Sequence, residues 1–322
     1  MRSSYDFGVE IEIIAKPSIH YILDDPNTVD RSFYYGLLAY SLRQKDRPAL
    51  ADSLQERYRK HSEHYDKWWI TKDGSLGNPP HPEIPLEVVS PILSTSRTWE
   101  GEIDVFWEAF TEIFQTPEKS PKCGSHIHIS PGREKSWSRT EIKNIAFGIV
   151  FYEPLIKELL PSDRRNNSYC KPNTSFSYML RGEEDLGFVW HMIDTVKSKE
   201  HLRDVMQEGN IRDSTRNRHV LWNFDNILPG KSGTIEFRGG SALQDSESTK
   251  RWISFVVSFI HLCITQDFHS FPQRRERRPT LEVFWQDILH AARSNAVRSN
   301  LPSSHAVMAE DSWYAATVLS SP

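Results

Sequence analysis

The sequence has few cysteines, and their spacing excludes a disulfide framework. There are three among 322 residues, far apart and without a C-x-x-C pair: Cys123, Cys170 and Cys263. An odd and scattered set of cysteines is typical of a reducing compartment. The N-terminus leads almost directly into a strand pattern, which leaves no room for a secretory signal peptide. We therefore expect a cytoplasmic protein.

Long apolar runs and an excess of one charge sign are also missing. No stretch approaches the roughly 18 apolar residues that a membrane-spanning helix needs. The chain carries 39 basic and 43 acidic residues, a net charge of −4. This balance gives no reason to expect nucleic acid or a membrane as a partner. Hydrophobic residues make up 38% and aromatic residues 11%, which is typical of a globular protein.

Two common nucleotide-binding motifs are absent as well. The chain contains neither G-x-x-x-x-G-K-[ST] nor G-x-G-x-x-G, so neither a P-loop nor a Rossmann site is indicated. Apolar periodicity predicts strands at 5–14, within 67–76, and at 85–93, 124–130 and 233–240. It predicts helices at 100–115, 139–160, 251–263 and 280–293. The elements do not alternate strictly, which favours an α+β fold with a largely antiparallel, curved sheet and helices packed on its apolar face.

The domain boundaries follow from the same pattern. We expect one catalytic domain over residues 1–295 and a partly ordered tail over 296–322. A polar insertion at about 28–67 interrupts the domain. Two of its segments, "SFYYGLLAYSL" and "LADSLQERYRKHSEHYDKW", are predicted to be helical, with a break at "DRP" between them.

Acidic residues interrupt the first predicted strand, "YDFGVEIEII". Because side chains alternate along a strand, Glu10 and Glu12 share one face, and Phe7, Val9, Ile11 and Ile13 share the other. A lone Glu-x-Glu most often faces water. Two carboxylates about 4 Å apart repel each other by about 4 kcal/mol at an effective dielectric constant near 20, and a cation between them would turn this repulsion into a binding site.

Three further strands show the same division into an apolar and a polar face. "SHIHIS" places His126, His128 and Ser130 on one face, and "TIEFR" places Thr234, Glu236 and Arg238 on one face. "LEVVS" places Glu87 on one face, with Leu86 and Val88 on the other. If the strands share a sheet, these polar faces converge. Most of the potential ligands are oxygen atoms, so a Mg²⁺- or Mn²⁺-type site fits better than structural zinc.

The order of these motifs resembles the glutamine synthetase superfamily of carboxylate–amine ligases, and its amidoligase family in particular. The resemblance covers about residues 5–263 and rests on "FGVEIE", "WITKDGSL", "LEVVSPIL", "CGSHIHI", "RRNNSYC" and "TIEFRGG". It implies a glutamine-synthetase-like catalytic domain, ATP, and two Mg²⁺ or Mn²⁺ ions. It also implies a small-molecule carboxylic acid and an amine as substrates, with amino acids among the candidates.

The resemblance also implies roles for individual residues. Glu10, His126 and Glu236 would hold the metal ion nearer the ATP phosphates, and Glu12 and Glu87 the ion nearer the acid, with Asp73 as a candidate third ligand. His128 and Ser130 correspond to nucleotide-contacting positions, and Arg238 to a position that binds carboxylate or phosphate. Further candidates to bind phosphate are Arg164, Arg165, Arg212, Arg218 and Lys231. Asn167 and Tyr169 would line the acceptor pocket or order their loop, and Asp213 and Asp225 are candidate bases.

The function that this interpretation predicts is ATP-dependent formation of an amide bond through an acyl phosphate. Two alternatives remain open from the sequence. A metal-dependent amide hydrolase could use the same H-x-H strand and carboxylates, and would act without ATP. A non-catalytic relative could bind a nucleotide or an acid only.

Overall fold

A computed structural model gives the fold of the protein. It describes residues 4–18, 31–52, 65–117, 120–132, 135–209, 217–271 and 277–309. The strands are β1 (Tyr5–Ala15), β2 (Ala49–Ala51), β3 (Trp68–Thr71), β4 (Ile84–Val89), β5 (Leu93–Ser94), β6 (Gly124–Pro131), β7 (Trp222–Asn223) and β8 (Ile235–Gly240). They belong to one mostly antiparallel sheet, which confirms the predicted α+β class.

Ten α-helices lie in the described residues. The longer ones are α1 (Arg31–Gln44), α2 (Glu100–Ile113), α3 (Arg139–Leu159), α6 (Leu186–Asp194), α7 (Lys199–Gln207), α8 (Ser246–Thr265) and α9 (Leu281–Ser294). The short ones are α4 (Ser162–Arg165), α5 (Asn173–Phe176) and α10 (Ala306–Ala309). Among the helices in these ranges, none combines the length and the apolar character that a membrane crossing requires. The three cysteines are buried and no disulfide joins them.

Helix α3 shows how local sequence sets the boundaries of an element. The Ser138 hydroxyl accepts a hydrogen bond from the Glu141 amide (3.2 Å), and the Glu141 carboxylate accepts one from the Ser138 amide (2.8 Å). This capping box satisfies two of the donors that a helix N-terminus leaves unpaired. The helix continues through Pro154 and ends at Leu159. The helix confirms the one predicted at 139–160.

The chain divides into two units, which we describe separately. The N-terminal unit comprises Asp6–Ile127 and Gly240–Trp252. Its strand order is β2-β3-β4-β1-β6, with β5 beside β1. Helix α2 packs on the apolar face of these strands, because the ring of Trp68 stacks on Phe106 (4.6 Å between centroids) and Phe7 meets Trp99 edge-on (5.3 Å). The predicted apolar face of β1 is therefore the core of this unit.

The C-terminal unit comprises Met1–Tyr5, His128–Gly239 and Ile253–Pro322. Its strand order is β6-β8-β7, and β7 is antiparallel to β8. Helix α8 packs on the apolar face of this part, with Phe255 against Phe237 (6.1 Å between centroids) and Phe259 against Trp222 (5.0 Å). Helix α8 is buried on most sides, as its nearly uniform apolar sequence predicts.

One secondary-structure prediction is wrong, and parts of two predictions lie outside the described residues. The helix predicted from Leu50 onward does not begin there, because Leu50 and Ala51 belong to β2 and pair in parallel with Trp69 and Ile70 of β3. Pairing at a sheet edge outweighs the weak helical preference of these residues. The rest of that predicted helix lies largely outside the described residues, as do 310–322 of the predicted tail. The single domain over residues 1–295 remains a prediction.

Candidate active site

In the N-terminal unit, three carboxylates and one imidazole lie on the polar face of the strands. We call Glu10, Glu12, Glu87 and His126 the carboxylate–histidine group. Their apolar neighbours Val9, Ile11 and Val88 are fully buried on the opposite face, so the strand period predicted from the sequence is confirmed. Glu12 (7% exposed) and His126 (2% exposed) are buried, and Glu10 and Glu87 are partly exposed.

The register of β1 and β4 brings two acids directly opposite each other. Glu12 pairs with Glu87, and Glu87 also lies opposite Thr71 of β3. In an antiparallel pair, directly opposed side chains project from the same face with Cβ atoms about 4.5–5.5 Å apart, and like charges there are destabilising. A cation between the carboxylates would remove this cost.

His126 lies between the carboxylates of Glu10 and Glu12. Its Nδ1 is 3.0 Å from Oε2 of Glu10, and its Nε2 is 3.6 Å from Oε2 of Glu12. A neutral imidazole donates from one nitrogen only, so its second nitrogen would turn a lone pair towards a carboxylate. A bound cation beside these side chains would offset the negative charge of the two carboxylates. These oxygen-rich donors fit a hard divalent cation.

Two further residues in this unit, Asp73 and Gly240, have local structural roles. Asp73 caps the 3₁₀ turn Gly74–Leu76 by accepting a hydrogen bond from the Ser75 amide. Gly240 lies against Ser125 so closely that a Cβ at this position would be 1.9 Å from the serine Oγ. The absence of a side chain at Gly240 thus permits the close approach of its backbone to Ser125.

In the C-terminal unit, the polar face of β8 carries a second group. The arginine–glutamate group consists of Glu236, Arg238, His128 and Asn223. Glu236 is 3% exposed; its Oε2 accepts a hydrogen bond from Nδ2 of Asn223 (2.7 Å), and its Oε1 accepts one from Nη1 of Arg238. His128 Nε2 is 4.0 Å from Oε1 of Glu236, and both side chains offer ligand atoms to a metal ion.

Arg238 and His128 also make contacts outside the group that fix their positions. Arg238 Nε donates to the Tyr169 carbonyl (3.4 Å), and the Arg238 carbonyl accepts from Nη2 of the buried Arg164 (2.6 Å). His128 Nδ1 lies 3.3 Å from the Thr234 hydroxyl. Arg238 is therefore a positioned residue and not a mobile surface side chain.

Asp225, a candidate base, is half-buried beside this group. Burial raises the pKa of its carboxyl, and the charge of Glu236 adds to the rise. Three cations act in the opposite direction: Arg203, then Lys231 and Arg218. Arg218 and Lys231 are exposed, as phosphate-binding side chains at the edge of a site would be.

The remaining predicted residues are less informative. Arg165 donates to the carbonyls of Leu160 (2.8 Å) and Glu158 (3.0 Å) at the end of α3. Asn167 orders its own loop, because it accepts from the Tyr169 amide (2.9 Å) and donates to the Asp163 carbonyl (3.2 Å). Ser130 is half-buried on β6. Arg212 and Asp213 lie outside the described residues.

Sequence reasoning missed four residues that the structure brings to these groups. Asn223 bonds to Glu236, and Gln207 bonds to Asn223. Arg203 lies 3.9 Å from Asp225. Asp52, 6% exposed, accepts a hydrogen bond from the Thr71 hydroxyl (2.7 Å), and Thr71 lies opposite Glu87. None belongs to a motif or a periodic strand face, so the sequence carried no signal for them.

Groups of acids and histidines, and an arginine held by hydrogen bonds, are more typical of an enzyme than of a structural scaffold. Comparison with protein families agrees with this. The sequence profile of the family described as "putative amidoligase enzyme" matches residues 3–260, which is most of the 322-residue chain. The protein belongs to this amidoligase family, whose description indicates an enzyme that forms amide bonds. No curated protein gives a significant match to the chain.

Proposed function

We propose that the protein is an ATP-dependent carboxylate–amine ligase of the glutamine synthetase superfamily. The observation that carries this proposal is the direct opposition of Glu12 and Glu87 beside the Glu10–His126 contact. Such a concentration of negative charge on one sheet face is costly without cations. Divalent cations bound there would in turn bind a nucleotide polyphosphate. This supports the use of ATP, which membership of the family does not by itself require.

The residues present fit two hard divalent cations. Glu10 and His126 of the N-terminal unit would hold the ion nearer the ATP phosphates, and Glu12 and Glu87 the ion nearer the acid. Glu236 of the C-terminal unit is proposed as a further metal ligand, because its carboxylate offers a ligand atom. When bound, these ions supply charge neutralisation for the phosphates and for the reacting carboxylate. Asp73 is a poorer third ligand, because one of its oxygens already caps a turn.

The reaction takes place in two displacements. A carboxylate oxygen of the acid attacks the γ-phosphorus of ATP, the bond to the β-phosphate oxygen breaks, and ADP leaves. The amine nitrogen then attacks the carbonyl carbon of the acyl phosphate, inorganic phosphate leaves, and the amine loses a proton. Arg238 would bind the phosphoryl or carboxylate oxygens with its planar guanidinium. His128 and Ser130 would contact the nucleotide, and Asp225 is a candidate to accept the proton.

A pair of cations in the N-terminal unit, Arg31 and Lys72, supports an acidic substrate. Arg31 and Lys72 both donate to the same oxygen, Oδ1 of Asn78, at 3.1 Å each. Lys72 follows Thr71, the residue opposite Glu87. Burial lowers the pKa of Lys72, and the charge of Arg31 adds to this effect. Two positive groups held this close together favour an anion beside them.

The test uses hydroxylamine in place of the unidentified amine. The protein is incubated with ATP, MgCl₂, hydroxylamine and a panel of carboxylic acids, and ADP and hydroxamate are measured together. We expect equal amounts of the two products with a suitable acid, and none in EDTA. Glu10→Gln and His126→Ala should abolish both products, whereas Glu83→Gln, a change just outside β4, should not.

Three results would contradict the proposal. Release of AMP and pyrophosphate would exclude an acyl phosphate made from the γ-phosphoryl group. Hydrolysis of an amide without ATP would favour the metal-dependent hydrolase. Near wild-type turnover of Glu10→Gln or His126→Ala would show that the proposed metal ligands are wrong.

A further inference from the structure

Two buried amide side chains connect helix α7 to Glu236. Asn223 Oδ1 accepts hydrogen bonds from Nε2 of Gln207 (2.9 Å) and from the Asp225 amide (3.0 Å), while its Nδ2 donates to Glu236. Gln207 Oε1 accepts from the Phe224 amide (2.6 Å), and its Nε2 also donates to Oδ1 of Asp225 (2.8 Å). Gln207 is 0% exposed and Asn223 is 4% exposed.

The hydrogen bonds permit only one orientation of each amide. Rotating Asn223 by half a turn would place its oxygen against the Glu236 carboxylate and its NH₂ group against two donors. Rotating Gln207 would turn its NH₂ group towards the Phe224 amide and its oxygen towards Asn223 and Asp225. Each alternative leaves buried polar groups without hydrogen-bond partners, which is unfavourable. Both amides are thus locked, with the NH₂ group of Asn223 directed at Glu236.

We propose that Asn223 and Gln207 are positioning residues that fix the Glu236 carboxylate for metal binding. The inference rests on the proposed function, since it assumes that Glu236 is a metal ligand. The hydrogen bond from Asn223 fixes one carboxylate oxygen of Glu236. Gln207 fixes Asn223 and holds Asp225, the candidate base, through the same NH₂ group. Residues that orient a metal ligand in this way typically change metal affinity by 10- to 100-fold when they are lost.

The chain contains a matched control in Asn173. This residue is 0% exposed and also makes three side-chain hydrogen bonds: to the carbonyls of Met206 (3.0 Å) and Trp222 (2.9 Å), and from the Trp222 amide (3.0 Å). It belongs to the same unit but does not bond to Glu236 or Asp225. Asn223→Ala and Asn173→Ala therefore each remove a buried amide with three hydrogen bonds, and only the first removes a contact to Glu236.

The experiment is a titration of the full-length protein with Mn²⁺ in the absence of nucleotide, with free Mn²⁺ measured by electron paramagnetic resonance. We expect Asn223→Ala to raise the dissociation constant at least tenfold and Asn173→Ala to leave it within twofold, although both lower the melting temperature. Gln207→Met, which leaves the Asn223–Glu236 contact in place, should raise it several-fold. If Asn223→Ala does not fold, the dissociation constant of Gln207→Met by itself tests the inference.

Three results would overturn the inference. Wild-type affinity in the Asn223 variant, when Glu236→Gln weakens binding, would show that Glu236 needs no positioning. Equal loss of affinity in the Asn223 and Asn173 variants would reduce the role of Asn223 to general stability. Unchanged affinity in Glu236→Gln would remove the metal role of Glu236 itself, and with it this inference, while ADP formation would still test the ligase activity separately.

Discussion

The pH dependence of stability offers a test that does not depend on the proposed chemistry. Glu153, in the middle of α3, is 4% exposed and accepts hydrogen bonds from the Thr174 amide (3.2 and 3.3 Å) and from the Thr174 hydroxyl. Burial raises the pKa of Glu153 to about 7. The hydrogen bonds from Thr174 and the charge of Arg278 lower it and offset only part of the rise.

The direction and size of the effect follow from linkage. Because the folded-state pKa of about 7 lies above the ordinary value of 4.5, the folded protein binds this proton more tightly than the unfolded chain. The contribution to the free energy of unfolding is complete below pH 4.5 and is lost as the pH rises through 7. The difference of about 2.5 units (7 − 4.5) corresponds to roughly 3 kcal/mol, of which about 2.5 kcal/mol is lost between pH 5 and pH 8.

Glu153→Gln removes this pH dependence. Glutamine does not ionise, and any cost of its NH₂ group in the buried site is the same at every pH. The difference in unfolding free energy, variant minus wild type, should therefore rise by about 2.5 kcal/mol between pH 5 and pH 8 in urea denaturation. The control is Glu158→Gln, an exposed change in the same helix, which should leave the slope unaltered. A Glu153→Gln difference that is constant across this range would refute the reasoning.

Three further predictions concern the sheet. Glu87→Gln should raise the unfolding free energy in EDTA by up to about 1 kcal/mol, because it removes a like-charge pair. It should also reduce the stabilisation of the fold by Mg²⁺, and thermal melts with and without the ion test both effects. Arg238→Lys should lower kcat/KM at least tenfold, about 1.4 kcal/mol, at a nearly unchanged melting temperature, and steady-state kinetics within twofold of wild type would contradict this. Gly240→Ala should cost about 1–3 kcal/mol in denaturant unfolding, and Ser125→Gly in the same chain should recover part of the loss.

The strand faces could be predicted because one side of each strand is apolar. A period of two separates Ile127 and Ile129 from His126 and His128, and the structure buries both isoleucines completely. The same alternation identified Glu10 and Glu12 on a face opposite the core. Such patterns depend only on residues adjacent in sequence, so they need no knowledge of the tertiary fold.

The contacts between distant segments could not be predicted in this way. The pairing of Glu12 with Glu87 depends on the register between β1 and β4, which no turn of fixed length sets. Gln207 reaches Asn223 from a helix in a stretch without recognisable motifs. Asp52 follows a strand of three residues that the sequence suggests is helical. In each case the contact depends on how distant segments pair in the tertiary fold, and the local secondary-structure preferences of the residues carry little information about that pairing.

The three hydrogen bonds of Asn173 have a consequence for how this part of the protein opens. One side chain joins α5, α7 and β7, through the carbonyl of Met206 and both backbone groups of Trp222. None of these segments can separate from the others without leaving a buried polar group unpaired. We therefore expect their backbone amides to exchange with deuterium at a common rate, as a single cooperative unit. The segment that carries Asn223 would then keep its order for as long as α7 remains folded.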